Sequence, residues 1–468
     1  MARLRCWNHG IRLEHWQTEL TDAGFSCIFC YNGVAMRVGV ISLGCAKNLV
    51  DTERLLGLLK ENEIEVVTSW KAADAVIINT CGFIESAKSE AIDTILEAAE
   101  YKSKGLQKLI VMGCLSQRYK PQLEEELPEV DRFIAISEYG NLGPILTEVL
   151  GVPVHQSYGK QTRVLSGKPW MAYLRIADGC DNRCSYCAIP LIRGDFVSAP
   201  MEEIIAEAKE LAGQGVRELN LIAQDSSRYG IDRYGKLMLS ELLKQLDAIE
   251  GVHWIRILYL YPDEIPDDLI DTMKSCRHVL PYFDIPIQHG NDRLLQAMHR
   301  RGNRALIKDR CQKLRQVFDR PVLRTTLIAG FPGETLEEHE DNLSLLKEIE
   351  WDHLGVFAYS KEEDTPAFDL EDDVPEEEKI RRRDELMEAQ SAISHKLLSS
   401  TIGTTMEVLV EREDALTGMA VGRSYMQAPD NVDGETRFRP LRPHAPGEFV
   451  QVRIKRVSGL NLIGEEIV

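Results

Sequence analysis

The chain has 468 residues, 44% hydrophobic and 28% charged, an ordinary globular balance that excludes a disordered or fibrous protein. Its 55 Lys and Arg against 74 Asp and Glu leave a net charge of −19, which repels phosphate backbones and attracts basic proteins. No apolar run approaches the ~20 residues of a membrane-spanning helix, and MARLRCWNHG lacks the apolar region of a secretory signal. Eleven cysteines in a chain of this size point to metal ligation or catalysis in a reducing cytoplasm rather than to disulfides.

Residues 1–35 carry three of the 11 cysteines and two of the six tryptophans but no sustained period of 2 or 3.6. They read as a leader from an upstream start, with the native chain expected to begin at Met36 and to need none of them for stability or iron loading. Cys27 and Cys30 supply only two of the four ligands that a zinc ion takes. From Met36 to Gly151, apolar runs (VGVISLG, DAVIINT, KLIVMG) alternate with stretches of helical period such as NLVDTERLLGLLKEN. That alternation predicts an α/β domain with a doubly wound parallel sheet. Residues 152–168 lack periodicity and read as a linker. Between residues 169 and 401 come six further apolar runs: AYLRIA, ELNLIA, WIRILYL, YFDIPI, LRTTLIA and HLGVFAY. Helical stretches separate most of them, and six βα units predict a barrel, closed or partly open, with its chemistry on the loops after the strands. The acidic tract EEDTPAFDLEDDVPEEE reads as a solvated loop, and a helix starting near Pro375 leads into the tail. Residues 402–468 alternate in short strands with turns at Asp433-Gly434 and Ser458-Gly459, the pattern of a small antiparallel β-barrel.

Cys180, Cys184 and Cys187 follow the first barrel strand, three thiolates within eight residues. Zinc would need a fourth ligand that no nearby Cys or His supplies, whereas an iron–sulfur cube held by three cysteines keeps one iron open for another ligand. Cys45, Cys81 and Cys114 each end an apolar strand, 36 and 33 residues apart, about one βα repeat each. Equivalent strand ends converge at the carboxyl edge of a parallel sheet. Glycines beside each cysteine (Gly44, Gly82, Gly113) let the backbone bend closely around a bulky centre. The repeat predicts a second three-cysteine cluster with its own open iron.

The Cys180–Cys187 pattern resembles that of radical S-adenosylmethionine enzymes. Together with the second triad, the α/β domain and the terminal barrel, it resembles the methylthiotransferases from Met36 to the end of the chain. The segments SLGCAKNLVDTE, NTCGFI, GCDNRCSYCAIPLIRG, LIAQDSSRYG, YFDIPIQH, RTTLIAGFPGET and GVFAYSKEEDTPA are most similar to the branch that modifies an aspartate of small-subunit ribosomal protein S-twelve. The resemblance implies a radical S-adenosylmethionine core, a TRAM-like barrel, two 4Fe-4S clusters and S-adenosylmethionine. It implies methylthiolation of the aspartate β-carbon: one cofactor molecule furnishes the hydrogen-abstracting radical, the auxiliary cluster presents sulfur, and a second cofactor molecule gives the methyl group. Cys45, Cys81, Cys114, Cys180, Cys184 and Cys187 would be the metal ligands. Tyr186, Gln224, Gln288, Arg324 and Gly330 would bind the cofactor, with barrel support as the other role open to Arg324 and a plain turn to Gly330. No catalytic residue is identified, and His289 reads as a hydrogen-bonded structural histidine. An electron donor and a sulfur donor are implied as partners; a membrane and specific nucleic-acid binding are not. Ala199 and Gln427 depart from the family pattern, Gln427 standing where an acid is expected for substrate docking. Asp430 and Asp433 on the same loop are expected to dock the basic substrate.

The rival function is the same chemistry on a tRNA adenosine. Against it stand GCAKN in place of a GCQMN-like motif, Gln224-Asp225 in place of Gln-Asn, and Thr325-Thr326 in place of Thr-Asp. The tail also carries 8 Lys and Arg against 10 Asp and Glu, where a domain built to grip RNA should be basic. A non-catalytic zinc-binding protein is the alternative from a different class, separable by iron, sulfide and visible absorption.

Overall fold

The computed structural model describes residues 36–155, 158, 159 and 162–468. The expectations for the leader and for Cys27 and Cys30 lie outside the described residues. The chain divides into two compact units: one runs to Lys168 and includes Ala188–Asp195, the other comprises Pro169–Cys187 and Phe196–Val468.

In the first unit β1 (Arg37–Ser42), β2 (Glu65–Val67), β3 (Ala75–Thr80), β4 (Lys108–Gly113) and β5 (Arg132–Ile134) form a sheet in the order β2-β1-β3-β4-β5. All its pairings are parallel. Helices α1 (Ala46–Glu61), α2 (Glu85–Glu100), α3 (Cys114–Glu126) and α4 (Leu142–Leu150) cover it. The central strands β1, β3 and β4 are buried on both faces, so they are mostly apolar and successive residues serve opposite cores. Ala75, Ile77, Ile110 and Met112 join Leu55, Leu58 and Leu59 of α1 and Leu146 of α4. Val76, Ile78, Leu109 and Val111 join Ile95 of α2 and Leu115 of α3. Each such Leu or Ile, fully buried, stabilises the fold by about 1.5–3 kcal/mol. A short helix, α5 (Ile189–Arg193), belongs to this unit and packs Ile192 against Cys114. Within the aperiodic stretch 152–168, Val154 packs on the α1/α4 core, and Arg163 pairs with Glu53 of α1 at 2.7 Å with both side chains buried. Single buried side chains leave no period to detect.

The second unit contains the six expected strands. They are β6 (Met171–Arg175), then, after the two-residue strands β7 (Ala177–Asp178) and β8 (Val197–Ser198), β9 (Glu218–Ile222), β10 (Trp254–Ile257), β11 (Val279–Asp284), β12 (Val322–Ala329) and β13 (His353–Ala358). They form an open sheet in the order β13-β12-β11-β10-β9-β6, so the barrel is partial. The tail forms a closed barrel from β14 (Thr405–Asp414), β15 (Met419–Ser424), β16 (Thr436–Arg439), β17 (Phe449–Ser458) and β18 (Asn461–Glu466) in the order β14-β15-β16-β18-β17. Val408, Val410, Phe438 and Ile454 of the barrel share one apolar core with Trp254, Tyr282 and Val322 of the open sheet. A buried ion network crosses the same junction: Glu218 of β9 meets Arg423 of β15 at 2.6 Å and Arg256 of β10 at 3.2 Å.

The structure departs from the sequence reading at several positions of this unit. Asp433 is 2% exposed. It accepts from Tyr282 Oη at 2.6 Å and from the Ala428 amide at 2.9 Å, and it faces Arg324 at 3.4 Å, so it fastens the barrel and cannot dock a substrate. Gln427 is fully buried, with Oε1 accepting from the Ser424 amide at 3.0 Å and from Thr436 Oγ1 at 2.8 Å; its amide closes the loop and plays no part in docking. Part of the tail's acidic count is internal. Glu411 and Asp433 are consumed in buried ion pairs. On the outer face of β16, β18 and β17, exposed Arg439 and Arg453 flank Glu465, with Lys455 paired to it at 2.6 Å. The acidic tract 362–378 likewise does more than face solvent: Glu362 and Thr365 are buried, and the Ala367 amide donates to Ser185 O at 2.7 Å in the cysteine loop.

Candidate functional site

The first site lies at the carboxyl edge of the five-stranded sheet. Cys45 caps α1 after β1, Cys81 follows β3, and Cys114 opens α3 after β4. The helix N-termini bring partial positive charge to Cys45 and Cys114. The segments meet closely. A Cβ on Gly44 would lie 2.9 Å from Cys81 Cβ, and one on Gly82 would lie 2.9 Å from the Cys114 carbonyl carbon. Gly113 turns the chain at φ +105°, a conformation that L side chains rarely adopt. Beneath the thiols lies a layer of buried polar groups. Asn48 Oδ1 accepts from Cys114 Sγ at 3.5 Å and from Cys45 Sγ at 3.8 Å, while its Nδ2 donates to Thr80 O at 2.8 Å. Arg193 donates to Asp51 Oδ2 at 2.9 Å and to Asn48 Oδ1 at 3.1 Å, and its guanidinium stands 3.8 Å from Cys114 Sγ. Burial pushes the Cys114 thiol up to about 11. It also raises Cys81, and the nearness of Cys114 and Cys45 adds to that rise.

The second site is a single loop at the carboxyl end of the open sheet. Gly179 (φ +74°) and Arg183 (φ +47°) bend it, and the Cys187 amide donates to Cys184 O at 3.0 Å. Ser185 anchors the loop from three sides: its amide donates to Met298 O at 3.0 Å, its hydroxyl to Ala297 O at 2.8 Å, and its carbonyl accepts from Ala367. Cys180 and Cys184 are buried, and burial pushes the Cys180 thiol up to about 11. Two neighbours gave no sequence signal. Arg300 donates to Cys184 Sγ at 3.7 Å and stacks on Tyr261 at 4.0 Å, and Tyr261 Oη lies 3.8 Å from the same sulfur. In the sequence Arg300 is marked by nothing beyond its neighbour Arg301. Asn182 Nδ2 donates to Asp225 Oδ2 at 2.8 Å, tying the loop to the end of β9.

Residues 37–135 match the uncharacterized protein family UPF0004, residues 174–346 the radical SAM superfamily and residues 402–467 the TRAM domain. The ribosomal protein uS12 methylthiotransferase RimO of Lachnoclostridium phytofermentans is 44% identical over 438 residues, spanning 92% of this chain and 99% of that relative. The chain belongs to the uS12 methylthiotransferase family. The protein of the same name from Caldanaerobacter subterraneus is 45% identical over 437 residues, again spanning 92% and 99%. Among solved structures, the radical S-adenosylmethionine methyltransferase TsrM of Kitasatospora setae aligns with a TM-score of 0.53 at 12% identity, covering 69% of this chain and 73% of that one. That likeness establishes a shared fold.

The residues that the family resemblance assigned to the cofactor are placed unevenly. Tyr186 is partly buried against Leu294, Met298 and Phe331, and burial followed by the charge on Cys184 raises its phenol well up. Gln224 donates to Asp178 Oδ1 at 3.2 Å and leaves its Oε1 buried without a partner. Gln288 follows β11 in a left-handed conformation, φ +74°. Arg324 is committed elsewhere. It pairs with Asp284 at 2.7 Å and Asp433 at 3.4 Å, which is the barrel-supporting role. Gly330 lies in a turn whose amide donates to Glu334, as does that of Phe331 at 3.1 Å, so those amides are already taken. His289 is fully buried and accepts from the Asn291 amide at 3.0 Å through Nδ1, a structural histidine. Ala199 makes its contacts through the backbone, donating to Ile176 O and accepting from Tyr229 Oη.

Proposed function

We propose that this chain methylthiolates the β-carbon of an aspartate in ribosomal protein uS12, with one 4Fe-4S cluster on Cys180, Cys184 and Cys187 and a second on Cys45, Cys81 and Cys114. The observation that carries the reading is identity of 44% across 99% of a uS12 methylthiotransferase, joined to two separate three-cysteine sites at strand ends. The residues suit such clusters. Among the described residues the sheet site offers three soft sulfur donors, while Asp51 is occupied by Arg193.

When bound, the clusters and S-adenosylmethionine supply the hydrogen-abstracting radical, the sulfur and the methyl group of the reaction. The chain's own residues hold and shape the site. Ser185 and Asn182 fix the cysteine loop, Arg300 and Tyr261 orient Cys184, and the unpartnered Gln224 Oε1 offers an acceptor to the ammonium of a bound amino acid. An external reductant and a sulfur donor complete the partner set, and the reaction belongs in the reducing cytoplasm. Among the described residues no helix is long and apolar enough to cross a membrane. The test is to incubate the reduced, iron-loaded protein separately with uS12 and with tRNA and weigh both products. A methylthio mass gain on uS12 alone supports the proposal; a gain on a tRNA adenosine alone overturns it.

A further inference from the structure

We propose that the buried Asp51–Arg193 pair is a charge-setting couple for the auxiliary centre at Cys45, Cys81 and Cys114, raising and lowering its reduction potential in opposite senses. The inference rests on the reading that those three cysteines hold a 4Fe-4S cluster.

The geometry is unusual for a pair that merely stabilises the fold. Both side chains are only 2% exposed. Desolvating two such ions costs as much as their attraction returns, so a buried pair by itself is weak evidence of a stabilising role. Here the guanidinium does not spend its hydrogen-bonding capacity on the carboxylate alone. The same Nη2 that meets Asp51 at 2.9 Å also meets Asn48 Oδ1 at 3.1 Å and stands 3.8 Å from Cys114 Sγ. Asn48 Oδ1 in turn touches Cys114 and Cys45, so the pair is wired to two of the three thiols. On the far side Tyr158 Oη donates to Asp51 O at 3.0 Å and approaches Oδ1 at 3.3 Å, and Tyr139, buried with its hydroxyl unpartnered, packs edge-on against Tyr158 at 5.2 Å. The couple lies among buried Asn48, Cys114 and Tyr139 and the partly buried Tyr158, in a medium where a charge acts more strongly than in water.

Three thiolates give such a cluster a net negative charge, and reduction makes it more negative. A guanidinium beside a ligating sulfur favours the reduced state, as hydrogen bonds and charge near cluster sulfurs do generally. Asp51 offsets part of that positive charge. Arg193 and Asp51 are therefore positioning residues with opposite effects on one quantity.

The experiment uses the full chain carrying Cys180→Ala, Cys184→Ala and Cys187→Ala, so that one cluster remains, titrated with dithionite while the spectrum of the reduced cluster is followed. Iron bound by this parent tests the cluster reading itself; a parent without iron sinks that reading and the couple with it. In the iron-loaded parent, Arg193→Gln should move the midpoint to more negative potential, Asp51→Asn to more positive potential, and Arg193→Lys should restore most of the Arg193→Gln shift. Midpoints that stay put, or that move in the same direction in the Gln and Asn variants, overturn the proposal. Should Arg193→Gln fail to hold iron, Asp51→Asn alone decides: a positive shift supports the couple and no shift refutes it.

Discussion

Cys180, Cys184 and Cys187 occupy one loop of eight residues, whereas Cys45, Cys81 and Cys114 come from three strand ends spread over 70 residues. The loop site depends on a few local anchors, chiefly Ser185 against Ala297, Met298 and Ala367. The sheet site depends on the register of β1, β3 and β4, because any slip would carry a cysteine away from its partners. Their electrostatics differ as well. Cys184 faces an arginine stacked on a tyrosine, while Cys114 faces one already paired with a carboxylate. A site assembled from distant strands can be tuned by distant charges, and a loop site is tuned by what its loop is laid upon.

The largest effect separating the two sites should come from their ligands. Changing Cys180, Cys184 and Cys187 to Ala should halve the iron and abolish cleavage of S-adenosylmethionine. Changing Cys45, Cys81 and Cys114 should also halve the iron but leave cleavage measurable while methylthiolation of uS12 disappears; loss of cleavage in both variants would collapse the distinction. Arg300→Gln comes next. Removing a group that touches a metal ligand costs typically about 10–100-fold in affinity or activity, so cofactor cleavage should fall by that order while the sheet site keeps its iron. Unchanged cleavage would show that the stacked arginine is only packing.

Gly113→Ala should act on the sheet site alone. The added Cβ would stand 2.6 Å from Thr80 O at φ +105°, and the backbone strain by itself amounts to about 1–3 kcal/mol. We expect a lower melting temperature and selective loss of the sheet-site iron; retention of both clusters would mean that the turn has slack. The smallest effect is on pH dependence and concerns the metal-free chain. Folding raises the Cys114 thiol from 9.0 to about 11 through burial. Such a group stabilises the fold fully below its unfolded value and loses that contribution as pH climbs through the folded one. Urea unfolding should therefore show stability falling between about pH 9 and pH 11, by up to ~3 kcal/mol for this thiol, and Cys114→Ala should flatten the slope. A slope unaffected by that substitution would place the titration elsewhere.

Much of this was legible from the residues in order. Apolar runs of strand length alternating with helical periods specified both parallel sheets, because the period follows from which side each residue faces. The six cysteines could be paired into two sites because each marks a strand end or a single loop, and the glycines beside Cys45, Cys81 and Cys114 reported the tight backbone. Tertiary structure alone decided the charges. Asp433 and Gln427 read as exposed loop residues and are buried in the joint between barrel and sheet. Arg324, a cofactor candidate by resemblance, is bound to Asp284 and Asp433. Arg193 meets Asp51 across 142 residues of chain. Ion pairs of that kind have no period and no local spacing, and only the packing of the finished fold brings their partners within reach.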